Sequence, residues 1–130
     1  MKETDLMIGD WVRVKRTQKI VKVKEVKQNC IYTEDNGYEY SEIEPIPLTK
    51  EILEKIGFVI KKKWAQIGNF GDSPLIMWHF EDDAVLGDFK HELEVHQNDT
   101  GKVHVHIPCE YVHELQHALK LCGIEKEIEL

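Results

Sequence analysis

Glu92-Leu93-Glu94-Val95-His96, Val103-His104-Val105-His106-Ile107 and Tyr111-Val112-His113-Glu114-Leu115-Gln116-His117-Ala118-Leu119 carry the strongest fold signals in the chain. The first two segments alternate polar and apolar residues with period two, as half-buried strands do. Asn98-Asp99-Thr100-Gly101 between them is rich in turn formers, so the two pair as an antiparallel hairpin. With Val95 facing Val105 and Leu93 facing Ile107, the apolar side chains share one face. That register sets His96 opposite His104 and Glu94 opposite His106 on the other. The third segment changes period. On a helical wheel referred to Val112, the residues Tyr111, Leu115, Ala118, Leu119 and Cys122 occupy an arc of roughly 240–360°, while His113 and His117 fall at about 100° and 140°. A helix from Pro108 or Cys109 to Leu121, stopped by Gly123, therefore lays an apolar stripe on the sheet.

On the N-terminal side of these segments, residues 58–107 as a whole read as an antiparallel meander. Its candidate strands are Phe58–Gln66, Leu75–Phe80, Ala84–Phe89, Glu92–His96 and Lys102–Ile107. Thr49 is the expected N-cap of a short helix, Lys50–Ile56, with Gly57 behind it. Pro45 and Pro47 make a stiff connection before it. The tail Ile124–Leu130 alternates Ile and Leu with charged residues and is a candidate edge strand. Residues 1–47 carry short alternating strands around Val12/Val14 and Val21/Val23. Asp35-Asn36-Gly37 is a hairpin signal of the type I′ kind, and Ser41–Glu44 suggests a helical turn. Strand count and spacing there resemble the SH3-like and Tudor-like small barrels. The expected architecture is α+β: an SH3-like β-module over 1–47, and a helix, antiparallel sheet and closing amphipathic helix over 48–130.

The composition is that of a globular chain. Of 130 residues, 42% are hydrophobic and 32% charged, and the net charge of −7 disfavours general binding to nucleic acid. No apolar run reaches the roughly 20 residues a membrane helix needs. Met1-Lys2-Glu3-Thr4-Asp5 is unlike a secretory signal, so the expected location is the cytoplasm. Cys30, Cys109 and Cys122 form no CxxC pair and read as reduced, partly buried thiols. The charge is uneven. Residues 10–27 hold seven Lys or Arg against two acids, and residues 28–44 hold five acids and no base. Arg13, Lys15, Arg16, Lys22 and Lys24 could form a basic face for nucleic acid, or adjacent strands could cancel them by cross-strand pairing.

His113-Glu114-Leu115-Gln116-His117 satisfies H-E-x-x-H. In zinc hydrolases the two histidines of this pattern bind the metal and the glutamate is the general base. The wheel places both imidazoles away from the core, in solvent unless other chain covers them. A third ligand would have to come from Glu125, Glu127 or Glu129 in the tail. An exposed polar helix face is the favoured reading, with His113, His117 and Glu114 kept as candidate metal residues. His96 and His104 are a second candidate pair, bridging strands about 5 Å apart. A polar outer face with an ion pair is favoured there, and protonation would make the patch pH-sensitive. Trp11, Tyr32, Tyr38 and Tyr40 could form an aromatic cage for a methylated cation, although small barrels more often use such residues as core. Lys61-Lys62-Lys63 reads as a solvated edge. No phosphate-loop, dinucleotide or nucleophile-elbow motif is present.

Glu44-Pro45-Ile46-Pro47-Leu48-Thr49-Lys50-Glu51-Ile52-Leu53-Glu54-Lys55-Ile56-Gly57-Phe58 resembles the PIPLTxEILEKxGF segment of small proteins from gut Bacteroidetes and their phages and mobile elements. Tyr111–Leu119 resembles their closing YVHxLQ helix, and Ile8-Gly9-Asp10-Trp11-Val12 their usual start. The resemblance implies a bacterial or phage-derived accessory protein whose closing helix is a packing or docking element. No activity and no cofactor follow from it. The first expectation is a non-enzymatic accessory or binding protein with a protein partner. Its ligands would meet the charged face of the N-terminal module or the groove between the two parts. The alternatives are a metal-dependent hydrolase using the HELQH helix and a nucleic-acid-associated factor using the basic N-terminal strands.

Overall fold

The computed structural model describes residues 1–68, 74–82, 90–97, 103–124 and 126–130, with the side chains of 97 and 103–105 left aside. It is a mixed α+β fold, mostly strands, with two α-helices. The expected strand Ala84–Phe89 lies outside the described residues.

The N-terminal part supplies β1 (Trp11–Val14), β2 (Ile20–Lys22), β3 (Glu25–Val26), β4 (Cys30–Tyr32), β5 (Gly37–Glu39) and β6 (Ile43–Glu44). These pair as two three-stranded sheets, β2-β1-β6 and β3-β4-β5. Strands of two to four residues carry few ladder bonds, and the described pairing leaves the sheets open rather than closed into a barrel. Leu6, Val12, Val14, Val21, Val23, Ile31 and Ile43 form a hydrophobic cluster of their own.

The β4–β5 hairpin forms, but its turn differs from the type I′ reading. Tyr32 pairs with Gly37 across a four-residue loop, and the Thr33 N–H donates to the Asn36 carbonyl at 2.8 Å. Gly37 does not adopt a positive φ. It is a glycine for a different reason: a Cβ there would lie 2.9 Å from the Tyr32 ring.

A second cluster, spanning Ile46 to Ile128, holds the rest together. The five-stranded sheet runs in the order β11-β10-β9-β8-β7. Its strands are β7 (Val59–Ile60), β8 (Trp64–Ile67), β9 (Leu75–His79), β10 (Glu92–Gln97) and β11 (Val103–Pro108). The single strand expected over Phe58–Gln66 is a hairpin instead, turned at Lys61–Lys63, with the Lys61 N–H donating to the Trp64 carbonyl at 2.7 Å. The β10–β11 register is the expected one: Leu93 pairs with Ile107, Glu94 with His106, Val95 with Val105 and His96 with His104.

α1 (Lys50–Lys55) begins at Thr49, whose hydroxyl accepts from the Ile52 N–H at 3.2 Å, and it ends before Gly57 at φ 106°. α2 (Val112–Leu121) starts later than expected. Pro108 still belongs to β11. Backbone bonds from Leu48 N to Glu110 O and from Val112 N to Ile46 O then hold 110–112 against 46–48. Val112, Leu115, Ala118 and Leu119 are buried, as the wheel requires. The tail forms no strand among its described residues, yet Ile128 is buried in the second cluster. None of the described helices is long and apolar enough to cross a membrane.

Candidate functional site

The HELQH helix presents its polar side to the N-terminal loop, not to solvent. Gln116 Oε1 accepts from the Trp11 N–H at 3.0 Å, and Gln116 Nε2 donates to the Gly9 carbonyl at 2.9 Å. His117 Nε2 lies 2.6 Å from Asp10 Oδ2, which also accepts from the Met7 N–H at 2.8 Å. Lys120 Nζ reaches the Ile8 carbonyl at 3.3 Å, and Trp11 Nε1 donates to the Ile128 carbonyl at 2.7 Å. The expectation that both imidazoles face water is therefore corrected. His113 is only 8% exposed and Asp10 is fully buried. The wheel separated the two faces of the helix properly. It had no term for a second apposed surface, which is made here by residues more than 100 positions away in the chain.

The described candidates for catalysis have structural partners. Glu114 Oε1 accepts from the Glu110 and Tyr111 N–H groups, both at 3.1 Å, so the would-be general base is the helix-capping carboxylate. Glu127 and Glu129, the described tail candidates for a third ligand, pair with Lys22 at 3.3 and 3.6 Å; Glu125 lies outside the described residues. Among the described residues no three His, Cys, Asp or Glu are arranged to hold a metal ion. His113 stacks on Tyr111 and meets His117 edge-on, with ring centroids 5.9 and 5.6 Å apart. Burial pushes its imidazole below the ordinary value, and the neighbouring His117 adds to this. The carboxylates of Asp10, Glu114 and Asp5 oppose the shift without reversing it.

The histidine hairpin carries the expected ion pairs, with His106 exposed, but its Glu94 is buried. Glu94 is 7% exposed, and its two oxygens meet His79 Nε2 at 3.0 Å and His96 Nε2 at 2.6 Å. Burial alone would raise the Glu94 carboxyl. The hydrogen bonds from His79 and His96, with the charges of His96 and His106, outweigh it and leave the group below its ordinary value. His106 Nδ1 lies closer to Glu92, at 2.8 Å, than His106 Nε2 does to its cross-strand neighbour Glu94, at 4.0 Å. His96 is thus engaged with a carboxylate, and the side chain of His104 lies outside those described. Sequence reasoning does not single out His79, which is fully buried. A signal exists: it ends Leu75-Ile76-Met77-Trp78-His79, a run buried on both faces, where a polar group requires a partner.

Two of the five residues of the expected basic face, Arg13 and Lys22, are ion-paired. Arg13 meets Glu44 across β1 and β6 at 2.8 Å, as cross-strand pairing anticipates, and holds that carboxyl below its usual range. Lys22 is taken up by Glu127 and Glu129 of the tail. The four aromatic residues do not converge: Trp11 packs on the larger core, Tyr38 and Tyr40 on the smaller one, and Tyr32 is exposed beneath Lys27. Where the N-terminal loop meets α2 and the tail, a groove of about 630 Å³ remains, lined in part by Gly9, Lys22, Gln116, Lys120, Lys126, Glu127 and Ile128. No protein-family model, curated protein or solved structure matches the chain.

Proposed function

We propose that this is a non-enzymatic binding protein, an accessory protein of bacterial or phage origin acting in the cytoplasm, whose N-terminal module is an opened SH3-like fold. One observation carries the reading. Two of the three residues that could make the HELQH helix catalytic are occupied in holding the fold, Glu114 as the helix cap and His117 on the N-terminal loop, and the third, His113, is buried. The binding surface is the groove beside that contact. With Lys22 already paired to Glu127 and Glu129, the ammonium groups of Lys120 and Lys126 on its wall favour an acidic segment of a protein partner.

The test titrates a Glu-rich peptide of about ten residues into ¹⁵N-labelled protein at low salt, where unscreened charge is felt most strongly. Shift changes should gather at Gly9, Gln116 and Gly123, weaken with added salt, and vanish in Lys120→Glu/Lys126→Glu. Binding that ignores this double substitution would remove the groove from the proposal. Stoichiometric zinc in tag-free protein, lost in His117→Ala, would replace the binding reading with the hydrolase one.

A further inference from the structure

A second cavity, of about 670 Å³, lies wholly within the N-terminal module, and its lining includes Lys15, Arg16, Lys19, Asn36, Tyr38 and Ser41. Its size is within the roughly 300–1,000 Å³ usual for small-ligand sites. One lip is the β1–β2 turn and the other is the β4–β5 loop. Both are held by their own bonds before any ligand arrives. Gln18, at φ 60°, donates from its backbone to the Val14 carbonyl at 2.7 Å and from Nε2 to the Lys15 carbonyl at 2.8 Å. Across the cavity, the Asn36 N–H donates to the Thr33 hydroxyl at 3.2 Å. Tyr38 packs against the small core and has its hydroxyl 3.5 Å from Asn36 Nδ2, so its ring is placed rather than free. Sites on such pre-set elements lose little entropy on binding.

The chemistry of the lining is selective. Lys15 and Arg16 make no ion pair among the described residues, in contrast to Arg13 and Lys22. Lys19 meets Asp35 only at 3.9 Å, with both side chains more than half exposed, a contact a ligand displaces at small cost. Glu42 is the single acid in the lining. A guanidinium fork, two ammonium groups, a hydroxyl and a side-chain amide are donors suited to phosphate oxygens. The aromatic ring beside them is a platform for a nucleobase.

We infer that this cavity is a nucleoside-phosphate site, with the phosphate on Lys15, Arg16 and Lys19 and the base against Tyr38. The nucleotide is either free or part of a single strand. A duplex is disfavoured, because the cations gather in a concave cleft while the chain as a whole is acidic.

The experiment uses the full chain and four probes: adenosine monophosphate, a fluorescein-labelled short oligothymidylate, inorganic phosphate and the Glu-rich peptide. Amide shifts at Thr17, Gly37 and Tyr38 report occupancy. The nucleotide should bind about tenfold more tightly than phosphate, since base stacking adds to the phosphate contacts. Its affinity should fall about tenfold or more in Lys15→Glu/Arg16→Glu, which alters only turn side chains and reverses the charge met by the phosphate. Tyr38→Leu, with its fold checked by the amide spectrum, should weaken the nucleotide and leave phosphate unchanged. For the oligonucleotide, a salt slope of about −2 is expected if all three cations meet phosphates, at roughly −0.7 each. Tighter binding of the oligonucleotide assigns the strand as the source, and equal binding assigns the free nucleotide. Phosphate binding equal to the nucleotide's, capture of the peptide at these amides, or no binding at low salt would each overturn the inference. The nucleotide and phosphate results leave the Lys120→Glu/Lys126→Glu test untouched, because the two cavities share no lining residue, whereas capture of the peptide at these amides would count against both proposals.

Discussion

Among single residues, Asp10 is the position on which most converges. It is fully buried, its Oδ2 takes two hydrogen bonds, and its Oδ1 has no partner among the described residues. A buried carboxylate stripped of a hydrogen-bond partner keeps its desolvation cost. His117→Ala should therefore destabilise the protein by about 2 kcal/mol, and Asp10→Ala by about 2–4 kcal/mol, in urea unfolding. Glu114→Ala loses only a cap, for about 1 kcal/mol. If the histidines were solvent-facing decoration, His117→Ala would instead fall within about 0.5 kcal/mol of wild type.

His113 and Glu94 together set the acid response. His113 is held below its ordinary 6.5 in the folded state, so the unfolded chain takes up its proton first, and stability falls as pH drops below 6.5 toward the folded value. Glu94 is held below its ordinary 4.5, so its contribution is present above 4.5 and is lost as pH falls through the folded value. Unfolding free energy measured against pH should decline in these two windows. His113→Gln should remove the upper decline and leave the lower one; a wild-type profile flat from about pH 7 to 5 would contradict the burial of His113. Neither effect was legible in the sequence, where both groups alternate or rotate onto faces that look polar. Burial of a polar residue depends on what lies over it, and periodicity reports only which residues share a side.

For the secondary-structure elements, local signals did well where local physics decides. Thr49 caps α1 and Gly57 follows it, as the sequence suggests. Thr49→Ala and Gly57→Ala should each cost about 1 kcal/mol, the first through a lost N-cap bond and the second through a strained positive φ. Chemical denaturation of the two variants checks this, and a neutral Gly57→Ala would mean that the backbone there relaxes freely. The β10–β11 register was likewise readable, because a one-residue slip would turn Leu93 and Val95 out of the core. Expectation and structure part where a tertiary partner competes. The start of α2 gives way to bonding of Glu110–Val112 with Ile46–Leu48, while the Cys109 N–H donates to the His91 carbonyl. Lys61–Lys63 turns the chain because Val59 and Ile60 pair with Gln66 and Ala65. The tail lies along the core through Ile128, with the Trp11 indole bonded to its carbonyl.

Across the molecule, two hydrophobic clusters are joined by the packing of Trp11 on the larger one and by polar bonds centred on Gln116. Replacing Gln116 by Leu removes the bonds to both Gly9 and Trp11 and leaves those backbone groups to find other partners. The two clusters should then unfold less cooperatively. Fluorescence, dominated by the tryptophans of the larger core, and far-ultraviolet circular dichroism should give separated midpoints, where wild type gives one. Coincident midpoints in the variant would mean that the remaining contacts suffice to couple the parts.

The α+β class, the hairpin register, the caps of α1 and the apolar stripe of α2 were all written in the order of the residues, because each follows from spacing and from bonds a few residues long. That the far side of α2 meets Gly9, Asp10 and Trp11 was settled only when the chain folded back on itself, and HELQH therefore reads as a clasp. The bonds responsible join residues more than 100 positions apart, and a side chain's chemistry depends on the surface that closes over it.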